Sequence, residues 1–159
     1  MTKTEEFLDQ YMKTMQEMTQ KCLDANQQTE FISFYDYILQ HGQFWTPQPL
    51  PAGIRKGQPK SCYQNAQRLA ARHSDYRYVE GVAYGACVIP VDHAWCVDME
   101  GNVVDNTPIW AAQNGEGVAY FGAPFNIKDV KAWLKGNTET VCVIQNYEKG
   151  FPLLKKKGA

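Results

Sequence analysis

Three side chains have the types and settings that nucleophilic chemistry needs: Cys62, His93 and Asp105. Cys62 stands in GQPKSCYQNAQRLAARH, residues 57 to 73. Ser61 just before it and Gln64 three residues on have the form of a capping box, so Cys62 is expected in the first turn of a helix. The positive end of a helix dipole favours a thiolate there. The N–H groups of the same turn lack helical partners and are free to hold an oxyanion. A thiolate so placed attacks a carbonyl if a neighbouring base manages the proton.

The base is expected from DHAWCVDMEGNVVDNTP, residues 92 to 108, where two apolar runs flank a turn. A three-residue loop, Met99-Glu100-Gly101, with Gly101 in the left-handed position, pairs Asp98 with Asn102. Counting outward, Val97 meets Val103, Cys96 meets Val104 and Trp95 meets Asp105. Alternation then puts His93, Trp95 and Asp105 on one face. His93 and Asp105 become diagonal neighbours, about 7–8 Å apart at their α-carbons and within side-chain reach. A two-residue turn on Glu100-Gly101 slips the register and sends Asp105 to the other face. A carboxylate beside a histidine fixes its tautomer and stabilises the imidazolium. The plain alternative is a structural hydrogen bond in a half-buried sheet. Asn106 is a fallback partner but faces the other way.

The remaining cysteines lack this setting. Cys22 lies on a Met-rich helical stripe, Cys87 and Cys142 sit in apolar strand runs, and Cys96 faces away from His93. A free cysteine is often only a small buried hydrophobe. His41 and His73 fall at helix C-terminal ends, where positive charge is favoured anyway. An odd count of five cysteines without an apolar leader points to a reducing, cytoplasmic compartment. No cysteine spacing fits a structural zinc, and neither metal nor cofactor is expected.

The elements that must position these groups follow from patterning. With 159 residues, 44% hydrophobic and 21% charged, the chain suits a single domain. Its formal charge of −1 gives no electrostatic case for nucleic acid or an acidic membrane, and no run reaches the roughly 18 apolar residues a bilayer span needs. Residues 1–41 read as helical. One amphipathic helix covers 4–25, with Leu8, Tyr11, Met12, Met15, Met18 and Cys22 on one stripe, and a second runs from Glu30 to His41. Residues 42–60 form a long Pro- and Gly-punctuated loop of the kind that often carries function. Residues 61–148 form the catalytic α+β core: a helix from Cys62 to about Arg72, strands in YRYVEGVAYGACVIP, HAWCVDM, NVVDNT and GVAYFG, a helix in NIKDVKAWLKG capped by Asn126, and a last strand in ETVCVIQNY. Residues 149–159, with Lys155-Lys156-Lys157, read as a frayed tail. Helices first, then an antiparallel meander, give an α+β fold with the nucleophile at a helix N-terminus.

A helix-opening cysteine, then HAW on a strand, then VVD-x-T on the next resembles papain-like thiol enzymes, and most nearly their transglutaminase-like branch. The chain order Cys62, His93, Asp105 is the order of that branch and of arylamine N-acetyltransferases, although the chain is short for the additional domain of the latter. The resemblance spans residues 58 to 110. The fuller string SCYQNA…YVEG…HAW…VVDNT…YFG is similar to small proteins of bacteria and their phages that have no assigned function. Two departures stand out: Gln58 precedes Cys62 by only four positions, closer than the oxyanion-hole glutamine of papain-like proteases, and Asn106 replaces the proline of many transglutaminase-like members.

The resemblance implies a thiol-dependent hydrolase or acyl transferase acting on an amide in a peptide, a protein or a small molecule. Cys62 attacks, His93 moves the proton, Asp105 orients His93, and the backbone N–H of Cys62 with Gln58 forms the oxyanion hole. Water as second substrate gives an amidase, peptidase or deamidase, and an amine gives a transferase. Glu80, Trp95 and Tyr120 are candidates for the substrate pocket wall, and Trp45 on the long loop is a candidate cover. The alternative is a non-catalytic binding protein on a papain-like scaffold that sequesters a host protein or small ligand through the Met-rich first helix.

Overall fold

The longest element of the computed structural model, which describes residues 1–138 and 142–158, is helix α1, Lys3–Ala25. A reciprocal cap starts it: Thr2 accepts from the Glu5 amide, and the Glu5 carboxylate accepts from the Thr2 amide at 2.7 Å. Its stripe divides lengthwise. Leu8 and Met12 are fully buried, whereas Met18 is exposed. Helix α2, Phe34–His41, starts later than Glu30 because the Ser33 hydroxyl accepts from the Asp36 amide and fixes the first turn there. The residues ahead of it take a different role. The Ile32 amide donates to Leu154 O, and the Lys156 amide donates to Glu30 O. Residues 154 to 156 of the segment expected to fray are therefore paired, and Leu154 is buried.

The five strands are β1 (Gln43–Trp45), β2 (Arg77–Tyr84), β3 (Val91–Val97), β4 (Val103–Val104) and β5 (Ala119–Phe125). Their spatial order is β1-β5-β2-β3-β4, with every pairing antiparallel. The meander holds only for β2-β3-β4. Strand β5 returns to pair with β2, and β1, which lies inside the expected long loop, pairs with β5. Of the expected last strand, 139–141 lie outside the described residues and 142–146 are not in a strand; the amides of Val143 and Ile144 donate to the Glu80 side chain. The sheet curls until its ends meet: the Thr46 amide donates to Gly101 O, and the Val103 amide donates to Thr46 O.

Curling gives the sheet an inside and an outside, and both are buried. Inside are Trp45, Val79, Trp95, Val97, Val103, Trp110 and Tyr120. Each indole withdraws about 150–250 Å² from water, or about 4–6 kcal/mol by area as an upper estimate. Outside, Tyr78, Val82, Ala94, Cys96, Phe121 and Ala123 meet the helices. Helix α3, Cys62–Arg72, packs mainly on β3. Small residues allow a close approach there, and the Cys96 thiol donates to Ala66 O at 3.2 Å. Helices α4 (Pro108–Ala111) and α5 (Ile127–Trp133) complete the α+β fold. Among the described residues no helix is long and apolar enough to cross a membrane.

Candidate functional site

The β3–β4 turn decides the geometry of the site. Cys96 pairs with Val104 and Val97 with Val103, the Asp98 amide donates to Asn102 O, and Gly101 has φ +86°. This is the three-residue loop, so Trp95 and Asp105 lie on the inner face with His93. Strand β4 pairs with β3 through Val103 and Val104. His93 Nε2 and Asp105 Oδ2 are 2.7 Å apart, both side chains being almost wholly buried. The carboxylate is held by two further donors, the Tyr120 hydroxyl on Oδ2 at 3.1 Å and the Thr107 amide on Oδ1 at 3.0 Å.

Aromatic rings also pack round the imidazole. The rings of Trp110, Trp95 and Tyr120 lie 4.8, 5.9 and 6.3 Å from it, centre to centre. Across the sheet His93 pairs with Gly81, and Gly81 with Gly122. A Cβ on Gly122 would come within 2.9 Å of Trp95 Cη2 and 2.5 Å of Glu80 O, so the absent side chain is what lets the indole lie beneath the imidazole.

Cys62 is the other side chain hydrogen-bonded to His93. It is the first residue of α3 and partly exposed. Burial disfavours a charged imidazole, but Asp105, by charge and hydrogen bond, outweighs it, and Cys62 adds to the effect in the same two ways. Together they hold the His93 pKa up at about 9. Both neighbours, a carboxylate and a sulfur, therefore favour the charged form of the imidazole.

The helix start is not the expected capping box. Ser61 makes no side-chain cap; its hydroxyl donates back to Pro59 O at 3.2 Å. The cause is the tight turn at 59–61, where Lys60 takes φ +57°. The amides of the first turn are consequently not covered by the serine. Gln58 is exposed, and its backbone N–H and C=O are both bound by the Asn65 side chain, at 2.9 and 2.8 Å. Among the described contacts none joins the Gln58 side chain to Cys62 or His93.

The remaining expected site residues are redistributed. Glu80 is not on the pocket wall. It alternates to the outer face, where both carboxylate oxygens take backbone amides and the Tyr78 hydroxyl donates to one of them at 2.7 Å. Trp45 covers no cleft: it is 4% exposed inside the curled sheet, with its indole N–H on Gly122 O. Trp95, fully buried, is the floor under the imidazole, and Tyr120 a support of the carboxylate. Trp110, Asn65 and Thr107 were not foreseen. The Asn65 amide donates to Thr107 Oγ1 at 3.2 Å, tying the helix that Cys62 opens to the turn that carries Asp105. The Thr-Pro pair before IWA was a signal for α4, since proline is favoured in the first helical turn.

No family model, no curated protein and no solved structure matches this chain.

Proposed function

We propose that the protein is a thiol-dependent enzyme of the papain-like, transglutaminase-like kind, acting on an amide or related acyl group in a peptide, a protein or a small molecule. What supports this reading is the position of His93, buried, with Asp105 at 2.7 Å on Nε2 and the Cys62 side chain within hydrogen-bonding reach of the same ring. In the proposed cycle the Cys62 sulfur bonds to the carbonyl carbon, and first-turn amides of α3 take the oxyanion. His93 gives its proton to the leaving amine as the C–N bond breaks, leaving a thioester. Water or a second amine, deprotonated by His93, then attacks the thioester carbonyl; the C–S bond breaks, the acid or new amide leaves, and the thiolate and protonated His93 are restored.

The chain carries its own control for the test. Cys22 is an exposed free thiol outside this arrangement. Iodoacetamide labelling at neutral pH, followed peptide by peptide by mass spectrometry, is expected to modify Cys62 at least tenfold faster than Cys22, and His93→Ala is expected to remove that advantage. Intact mass after incubation with an activated acyl ester is expected to show one acyl adduct, absent from Cys62→Ala. Equal labelling of Cys62 and Cys22 would defeat the reading.

A further inference from the structure

A concave region lies beside the helix that Cys62 opens, bounded by the loop 53–58 on one side and α3 on the other. The cavity is about 390 Å³ and is lined by Arg55, Lys56, Arg68, Arg72 and His73, with no carboxylate among its lining residues. Arg68 and Arg72 are one helical turn apart and so share a face of α3. Arg55 and Lys56 come from the opposite wall, whose backbone is pinned: the Asn106 amide side chain donates to Arg55 O, and the Gly57 amide donates to Asn106 O at 2.7 Å. Among the described residues no ion pair uses any of these four cations. The cations of the two walls thus border one concavity whose lining residues include no carboxylate.

We propose that this cavity binds a multiply charged anion of the phosphate class, carried on a small molecule. Its volume falls in the range of small-molecule sites and exceeds what a single simple ion fills. A phosphate monoester brings nearly two negative charges at neutral pH. Arginine forks bind such oxygens in pairs, and lysine adds a point charge. Ile54 and Leu69 supply apolar lining for the organic part of the ligand. A chain of net charge −1 that gathers four unpaired cations round one concavity, not along a stripe, fits a compact anion better than a nucleic-acid backbone. The inference does not depend on the chemistry assigned to Cys62.

Calorimetric titration of the full chain with inorganic pyrophosphate at low ionic strength tests it. Saturable one-to-one binding is expected, weakened by added salt and at least tenfold weaker in both Arg68→Gln/Arg72→Gln and Arg55→Gln/Lys56→Gln. All four side chains are exposed, so both variants are expected to keep the parent unfolding midpoint. Citrate is expected to bind at least tenfold more weakly than pyrophosphate. Absence of saturable binding overturns the site, undiminished binding in the two variants overturns its location, and citrate binding as tightly as pyrophosphate overturns the phosphate class.

Discussion

Asp105 and Glu80 are two buried carboxylates on opposite faces of one sheet, each with three protein donors around it. The donors to Glu80 are the Val143 and Ile144 amides and the Tyr78 hydroxyl. Those of Asp105 are the Thr107 amide, the Tyr120 hydroxyl and the His93 ring. The single substitution of an imidazole for an amide separates a fastener from a candidate active site. An amide cannot give up its proton near neutral pH, so Glu80 holds a chain segment against β2. An imidazole can, so Asp105 is coupled through His93 to a sulfur. Burial alone therefore does not single out a candidate catalytic carboxylate; the chemistry of its partners does.

The largest expected effect divides the two carboxylates by reactivity. Asp105→Asn keeps the shape but removes the charge that sustains the imidazolium, and Cys62 alkylation at neutral pH is expected to slow by about tenfold, to near the rate of Cys22, as its thiolate fraction returns to that of an ordinary thiol. Glu80→Gln is expected to leave that rate within twofold in the folded protein. Slowing by Glu80→Gln as great as that by Asp105→Asn would erase the distinction. The next effect reverses the order. Glu80→Ala leaves two buried amides without their acceptor and is expected to cost about 2–4 kcal/mol in urea unfolding, well beyond the loss from Tyr120→Phe.

Acidity separates the pair more finely. Burial raises the Glu80 pKa to about 7, against the opposing pull of its amide and hydroxyl donors. A raised carboxyl pKa adds stability that is fully present below its ordinary value of 4.5 and is lost as pH rises through about 7. His93, raised from 6.5 to about 9, adds stability that is present below 6.5 and lost as pH rises through about 9. Urea midpoints measured from pH 4.5 to 9.5 are expected to fall in two stages. Glu80→Gln should remove the lower stage and His93→Gln the upper one. A single stage abolished by either variant would show the two sites to be coupled.

How much of this arrangement was legible beforehand depended on whether the relevant partner was near in sequence. MEGN announces its own turn, and the faces of His93, Trp95 and Asp105 follow by counting. The start of α3 at Cys62 was legible too, although the serine that signalled it turned its hydroxyl to Pro59. Glu80 was not legible. Its amide partners lie more than sixty positions away, and with no sign in the strand that its outer face is covered, the glutamate reads as a candidate for a pocket wall. Only the curl of the sheet, with helices outside and indoles within, buries both faces of β2. Trp45 misled for a related reason: a three-residue strand amid prolines has no periodicity, and its place inside is fixed by its pairing with Tyr120.

The smallest effect concerns Tyr120, where the two carboxylates are most alike, since Tyr78 gives Glu80 the same hydroxyl that Tyr120 gives Asp105. Tyr78 also accepts from Gln67 at 3.2 Å, so its hydroxyl belongs to a chain of partners. Tyr120 is 3% exposed, and its ring packs at 5.0 Å from Trp95 and 5.5 Å from Trp110. Tyr120→Phe keeps those contacts and removes one donor from Asp105 Oδ2. The net worth of one such bond is about 0.5–1.5 kcal/mol, somewhat more when the acceptor is charged. If Tyr120 only packs, alkylation of Cys62 will not change. If it also holds Asp105 in line with His93, the rate is expected to fall about two- to fivefold, and the upper stage of the pH–stability curve should move while the lower one stays. A shift of the lower stage alone would mean that the hydroxyl acts through the sheet on Glu80 and not on the carboxylate it touches.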